Sequence, residues 1–350
     1  DRAVAVVAEQ VERGVVGPLS TCYLGGGTPT AVGAELAELV ERILRATGVS
    51  ASAEITVEAN PDSSDVALLE ALGGSGVTRV SVGAQSFDDE VLDTLGRRHD
   101  SSAAVRALRD ARELGLDVSG DLMCGVPGQT TASWESTLET ALGLGLEHVS
   151  VYPLGLEDGT PLGRSVDAGR IRAPDDDLAA SMLERAEETL EEAGLSRYEI
   201  SNYAVAGRES RHNTAYWVGA PYLGVGPSAA SMCGLETARR IDAGLCCEPD
   251  ARRVRFAVAE GLDAFDEGGI GSLSGVECMN GTETALEDVV LGLRLAVGVG
   301  KRQADVAGAL GVLEEMERRG LVTRSGGRFR LDGRGWLLAN EVFGAVWELR

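Results

Sequence analysis

Positive charge is scarce in this 350-residue chain: 32 Lys and Arg stand against 55 Asp and Glu, a net charge of −23. Such a field repels nucleic acid and anionic lipid, which argues against a basic-patch binding role and says nothing positive about the ligand. Long apolar runs are missing too. No stretch approaches the ~18–20 residues that span a bilayer and no secretory signal opens the chain, so no integral membrane segment is expected and the cytoplasm is the expected compartment. Cysteine is present but unpatterned. Cys22, Cys124, Cys233, Cys246, Cys247 and Cys278 show no CxxC or CxxxCxxC spacing, so neither a disulfide framework nor a metal site is expected from them. Asp rather than Met stands at position 1, and the native start is expected upstream.

What is there is a globular chain with 44% hydrophobic residues, long enough for one large barrel and a small appended domain. The first half repeats a short apolar strand, a turn and an amphipathic helix. Strands are expected at Ser20–Leu24, Ala53–Ala59, Arg79–Gly83, Leu116–Met123 and His148–Leu154. Leu36, Leu39, Val40, Ile43 and Leu44 recur at the spacing of a helix core face. Further helices are expected near Asp65–Leu72, Asp88–Leu95, Ser102–Leu114 and Ser133–Leu144. This alternation predicts parallel βα units, closed by right-handed crossovers into a barrel or an open sheet. Asp1–Arg13 reads as a helix with Val4, Val7, Ala8 and Val11 on one face. A helix in first place implies that the strand feeding it is missing.

A helix at Asp177–Ala193 follows, and then a Gly- and Ser-rich stretch through about residue 282 gives no regular pattern. Helices at Thr284–Val297 and Gln303–Arg319, a hairpin Leu321–Leu331 around Ser325-Gly326-Gly327, and a helix Gly335–Leu349 resemble a winged-helix module. Arg and Lys do not dominate it, so it reads as a structural lid rather than a DNA reader. The domains expected are residues 1–165 (barrel), 166–282 (extension) and 283–350 (winged-helix-like).

Ligands of parallel barrels sit at the C-terminal strand ends, and the unusual residues fall there. Gly25-Gly26-Gly27-Thr28-Pro29 ends the first strand, where glycines admit a ligand to the backbone; a tight turn is the plainer reading. Glu58 ends the next strand in Glu-Ala-Asn-Pro, as a ligand carboxylate or a surface acid. Gln85 follows the next strand, as a ligand amide or a solvated turn. Asp121 lies inside an apolar strand, and a buried carboxylate needs a partner, either a structural Arg or a ligand. Arg97 offers a bidentate fork for a carboxylate, or is a helix-end charge beside Arg98.

Gly-Gly-Gly-Thr-Pro, Glu-Ala-Asn-Pro, Gly-Ala-Gln-Ser-Phe, Asp-Leu-Met-Cys-Gly-Val-Pro-Gly-Gln-Thr and Tyr-Glu-Ile-Ser-Asn-Tyr occur in this order. The series resembles the oxygen-independent coproporphyrinogen III oxidase family of radical S-adenosylmethionine proteins, closely over about residues 1–234 and loosely beyond. The resemblance implies an α/β fold: a partial (β/α)6 radical-SAM barrel, here lacking its first strand, with a C-terminal α+β winged-helix-like domain. It also implies a [4Fe–4S] cluster beside S-adenosylmethionine, the protein supplying placement and the cofactors the chemistry. Carried over by motif, Gly26, Gly27, Thr28 and Glu58 hold S-adenosylmethionine. Gln85, Arg97 and Asp121 match positions that hold a second such molecule in the oxidases, and Gly155 and Ala230 fall near two backbone contacts.

The family's CxxxCxxC loop is expected upstream of Asp1, in the full-length protein only, so no metal ligand is expected within this chain. The tail is also shorter than the family's usual one between Val299 and Leu313.

His212-Asn213-Thr214-Ala215-Tyr216-Trp217 resembles the haem-chaperone branch, which binds haem and passes it to acceptor proteins. His212 is then an axial ligand candidate, with Tyr216 and Trp217 to pack on a porphyrin face; a core histidine beside an aromatic pair is the plainer reading. Haem or another porphyrin, and haem-acceptor proteins, are the partners implied. An oxidase that decarboxylates propionates is the alternative within the family, and a barrel enzyme on a phosphorylated sugar the alternative outside it.

Overall fold

The computed structural model describes residues 1–271 and 273–350. The chain divides into two compact units, one of residues 21–40 and 54–210, the other of residues 1–20, 41–53 and 211–350.

The first unit is built on a seven-stranded sheet. Its strands are β1 (Leu19–Leu24), β2 (Val49–Ala59), β3 (Arg79–Gln85), β4 (Asp117–Cys124), β5 (His148–Pro153), β6 (Ser196–Glu199) and β7 (Asn202–Ala204), in the order β1-β2-β3-β4-β5-β7-β6. Strands β2 to β5 pair in parallel, the partial βα barrel expected. The antiparallel strands β7 and β6 then extend it, which periodicity had not announced because each is only three or four residues long. Helices return the chain between strands, and side chains fix where they start. Asp65, Asp100 and Thr130 accept the backbone N–H groups of Leu68, Ala103 and Ser133, satisfying donors that a first helical turn leaves open.

Parallel sheets are normally apolar on both faces. This one is not. Val57, Val80, Val82, Val118, Leu122, Val149 and Val151 are buried on one face, and helices Ser101–Glu113 and Asp176–Glu192 pack against β3, β4 and β5. Alternation puts Glu58, Ser81, Ser119, Asp121, His148 and Ser150 on the opposite face, where all but Glu58 are linked by hydrogen bonds. A polar interior face leaves the ends of the strands free to host a ligand.

The second unit holds a sheet that the sequence did not reveal. Strands β8 (Ala230–Cys233), β9 (Arg253–Val258) and β10 (Leu273–Met279) form an antiparallel sheet in the order β10-β9-β8 within the stretch expected to be irregular. Long connections and a register shift between Ser274 and Glu277 hide it from local patterning. Val254, Phe256 and Val258 pack with Val6, Ile241, Phe265 and Ile270 to form its core. Cys247 and Cys278 are joined by a disulfide, with Cα atoms 5.8 Å apart. This bridge, which falls short of a framework, was not visible in the cysteine spacing, because β10 carries Cys278 up to a loop 31 residues away in sequence.

The C-terminal segment forms the expected winged-helix-like set, with β11 (Val299–Gly300), β12 (Val322–Ser325) and β13 (Arg328–Leu331) in the order β11-β13-β12. Two helices expected as continuous are interrupted. Residues 303–319 split into Lys301–Val306 and Leu310–Arg318 at Gly308, whose φ of 73° breaks the helix. Residues 335–349 split at Leu338, whose φ of −107° and ψ of 25° lie outside the helical range. Among the described residues, no helix is long and apolar enough to cross a membrane.

Candidate functional site

The glycine loop and the Glu-Ala-Asn-Pro segment are locked to each other. Glu58 accepts the Tyr23 hydroxyl at 2.8 Å and the Gly26 amide at 3.2 Å. Asn60 donates its side-chain N–H to the Thr28 hydroxyl at 2.9 Å, and its backbone amide donates to Thr30 at 3.3 Å. A Cβ on Gly25 would fall 2.7 Å from both Glu58 and Tyr23, so glycine is required there by close approach. Gly26 and Gly27 are needed for conformation instead, with φ of 87° and 134°, and both are exposed. The loop is thus a braced backbone surface at the end of β1. Glu58 holds the loop in shape.

Gln85 ends β3 with φ at 64°, one of two positive-φ non-glycine residues among the described ones. That conformation is unfavourable for a residue with a Cβ, and such residues gather at binding sites. Arg97 follows the helix Asp89–Thr94, its backbone N–H bonded to Leu92. Its guanidinium is half-buried; burial lowers its pKa and the Asp62 carboxylate pushes it back up. Arg98, by contrast, is exposed and pairs with Asp62 at 3.3 Å. The two neighbours therefore differ in surroundings. Gly155 lies in the exposed loop after β5.

Asp121 was expected to need an Arg or a ligand. Its partners are serines. Ser81 donates to both carboxylate oxygens, at 3.1 and 2.9 Å, and Ser119 donates to Oδ1 at 3.3 Å. Parallel register brings these hydroxyls in from neighbouring strands, Ser81 opposite Ser119 and Asp121 opposite Ser150. Burial raises the Asp121 pKa to about 6; the hydroxyls of Ser150, Ser81 and Ser119 oppose the rise, and the Glu58 charge adds to it. Neutral donors satisfy the carboxylate's lone pairs without cancelling its charge, so the anion remains available to a cationic group.

His212 and Ala230 lie in the other unit. Ala230 begins β8 and is exposed. His212 sits on the helix Arg211–Trp217, where Tyr216, one turn on, meets its ring edge-on at 5.0 Å. Tyr216 in turn meets Tyr222 at 4.4 Å. Arg294 stacks 5.0 Å from the Trp217 ring and 4.7 Å from that of Phe343. The motif therefore forms a linked aromatic group, and Trp217 is engaged by a cation rather than standing open.

Among the described residues, no group of three or more His, Cys, Asp or Glu is placed to hold a metal ion, and no cluster ligand is assigned to this chain. The donor set at the strand ends does fit S-adenosylmethionine. An exposed glycine backbone, two carboxylates and an amide can meet its ammonium, carboxylate and ribose hydroxyls.

Known proteins resemble this chain along most of its length. The model of the radical SAM superfamily matches residues 1–141, and that of the HemN C-terminal domain residues 279–338. The heme chaperone HemW of Bacillus subtilis (strain 168) is 35% identical over 339 residues, covering 93% of this chain and 85% of the relative. That of Mycobacterium tuberculosis (strain ATCC 25618 / H37Rv) is 34% identical over 333 residues, covering 92% and 79%. Among solved structures, the coproporphyrinogen III oxidase HemN of Escherichia coli, a radical SAM enzyme, shares the fold with a TM-score of 0.78 at 22% identity, covering 99% of this chain and 82% of that one. With a braced glycine loop at the strand ends, an HNxxYW helix and identity spread along nearly its whole length, this chain belongs to the HemW haem-chaperone family of radical SAM proteins.

Proposed function

We propose that this chain binds haem through the His212 helix and S-adenosylmethionine at the strand ends of the partial barrel, and that it delivers haem to acceptor proteins. The observation that carries the reading is the HNxxYW helix, where His212 and Tyr216 share one face beside Tyr222. An imidazole supplies an iron ligand, and aromatic rings supply an apolar face for a porphyrin. The haem titration that tests this should give a Soret band at one equivalent, and His212→Ala should shift or abolish it through loss of the iron–nitrogen bond. A Soret band indifferent to His212, together with conversion of coproporphyrinogen under reducing anaerobic conditions, would replace the chaperone by an oxidase.

At the strand ends, Gly26, Gly27 and Thr28 offer backbone and hydroxyl partners, while Glu58, Gln85 and Asp121 offer side-chain acceptors. Arg97 supplies a cation for a carboxylate, and Gly155 supplies a backbone contact. When bound, S-adenosylmethionine supplies an electron-accepting sulfonium; the residues named orient it. Glu58→Ala removes a ligand carboxylate and the brace of the glycine loop together. A charge-assisted hydrogen bond is worth roughly 1.5–3 kcal/mol, so the affinity for S-adenosylmethionine by calorimetry should fall about tenfold or more. An unchanged dissociation constant would return Glu58 to a purely structural role.

A further inference from the structure

The polar face of the sheet carries a run of hydrogen bonds that ends on Asp121 and includes no residue of the sequence motifs other than Asp121 and Tyr198. The Ser210 amide donates to the Tyr198 hydroxyl at 3.2 Å. That hydroxyl lies 2.8 Å from His148 Nε2, and His148 Nδ1 lies 2.7 Å from the Ser119 hydroxyl. Ser119 reaches Asp121 Oδ1 at 3.3 Å. Below, Arg208 pairs with Asp117 at 2.6 Å and with Glu147 at 3.2 Å.

One direction of the run lets every contact carry a proton. His148 is 2% exposed; burial, helped by the Arg79 charge, holds its pKa well below the ordinary value. The ring is therefore neutral at physiological pH and carries one N–H. An ionised carboxylate only accepts, so for the Ser119–Asp121 contact to carry a proton Ser119 donates it, and the Ser119 oxygen then accepts from His148 Nδ1–H. His148 Nε2 is then bare and accepts from the Tyr198 O–H. Every donor points the same way.

We infer that His148 is a positioning residue: held by Tyr198 as its Nδ1–H tautomer, it turns the Ser119 hydroxyl onto Asp121 and so presets that carboxylate as an acceptor for an ammonium or hydroxyl group of the ligand. The last step rests on the reading of Asp121 as a ligand contact; the hydrogen-bond run does not. The charged and titratable groups acting on Asp121 and His148 are Glu58 on β2, Tyr23 on β1, Tyr152 on β5 and Arg79 on β3. None of them supplies the Nδ1–H that Ser119 needs.

The chain has three histidines, namely His99, His148 and His212, so long-range proton–nitrogen spectra of the 15N-labelled protein can be assigned by substitution. His148 should show the neutral Nδ1–H pattern without change from about pH 5.5 to 8. In His148→Gln and in Ser119→Ala, the carboxylate carbon of Asp121 should titrate about one unit higher, a tenfold change in ionisation from the loss of one donor. An Nε2–H tautomer, or Asp121 titrating alike in wild type and His148→Gln, overturns the inference. The tautomer is read on the unsubstituted, ligand-free protein, so it decides even if a variant fails to fold. Failure to bind S-adenosylmethionine would count against the functional reading alone.

Discussion

Glu287→Ala should cost the protein about 3–5 kcal/mol, the penalty for removing one partner of a buried ion pair. Glu287 lies on the helix Gly281–Leu293 and is 2% exposed. Arg253 and Arg255 both pair with it from β9, and Arg253 also reaches Asp288 at 2.6 Å. Without the carboxylate, the Arg253 guanidinium stays buried with only Asp288 to balance it, and Arg255 loses its ion-pair partner. Unfolding in urea should show the loss as a lower midpoint with little change in slope. Replacing the triad together, Arg253→Met with Arg255→Met and Glu287→Leu, should be far milder, because hydrophobic groups of like volume avoid the desolvation of three charges. A triple variant as unstable as the single one would show that shape, not charge, sets the cost. The same helix packs against Arg211–Trp217, so Glu287→Ala should also weaken haem binding in the soluble folded fraction.

That triad also shows where sequence reading stops. The barrel strands were legible because Val and Leu recur on one face with helices at regular distance, and observed strands begin and end within a few residues of expectation. In β9, Arg-Val-Arg-Phe-Ala-Val alternates correctly, but its Arg positions face inward, toward a carboxylate 34 residues on. Until that partner is known, two arginines argue against a buried strand.

The mouth of the barrel divides in the same way. Gly26, Glu58 and Gln85 stood out by residue type at strand ends, and Asp121 as a carboxylate inside an apolar strand. Ser81, Ser119 and His148 did not, since a serine in a strand has no signature of its own. Only parallel register, Ser81 opposite Ser119 and Ser119 opposite His148, assembles them. An available signal was the polar residues at alternate positions in the first part of each of β3, β4 and β5, unusual for a parallel sheet apolar on both faces. Gly25 stood out as part of its loop, but the reason for glycine there did not: its need arises from the Glu58 and Tyr23 side chains that crowd it.

Asp121→Asn should stabilise the fold near neutral pH while impairing the site. The Asp121 pKa is raised to about 6, first of all by burial, so the folded state binds this proton more tightly than the unfolded one. The sign follows from linkage: stability falls as pH rises from about 4 through 6 and stays reduced above that. A rise of about two units corresponds to a cost of about 3 kcal/mol at pH 7. Asparagine keeps the shape and removes the charge, although its amide must displace one serine donor, so a net gain of about 1–3 kcal/mol is expected. Urea midpoints at pH 7.5 should favour the variant, and at pH 4 the two proteins should converge, both being neutral at this position. A gain that is equal at the two pH values would mean repacking rather than relief of a buried charge. S-adenosylmethionine should bind the variant more weakly at pH 7.5, since its ammonium loses a full charge partner while the hydroxyls that faced the carboxylate turn away. On the proposed reading Asp121 trades stability for a prepared acceptor, and the opposed changes in midpoint and affinity measure that trade in one substitution.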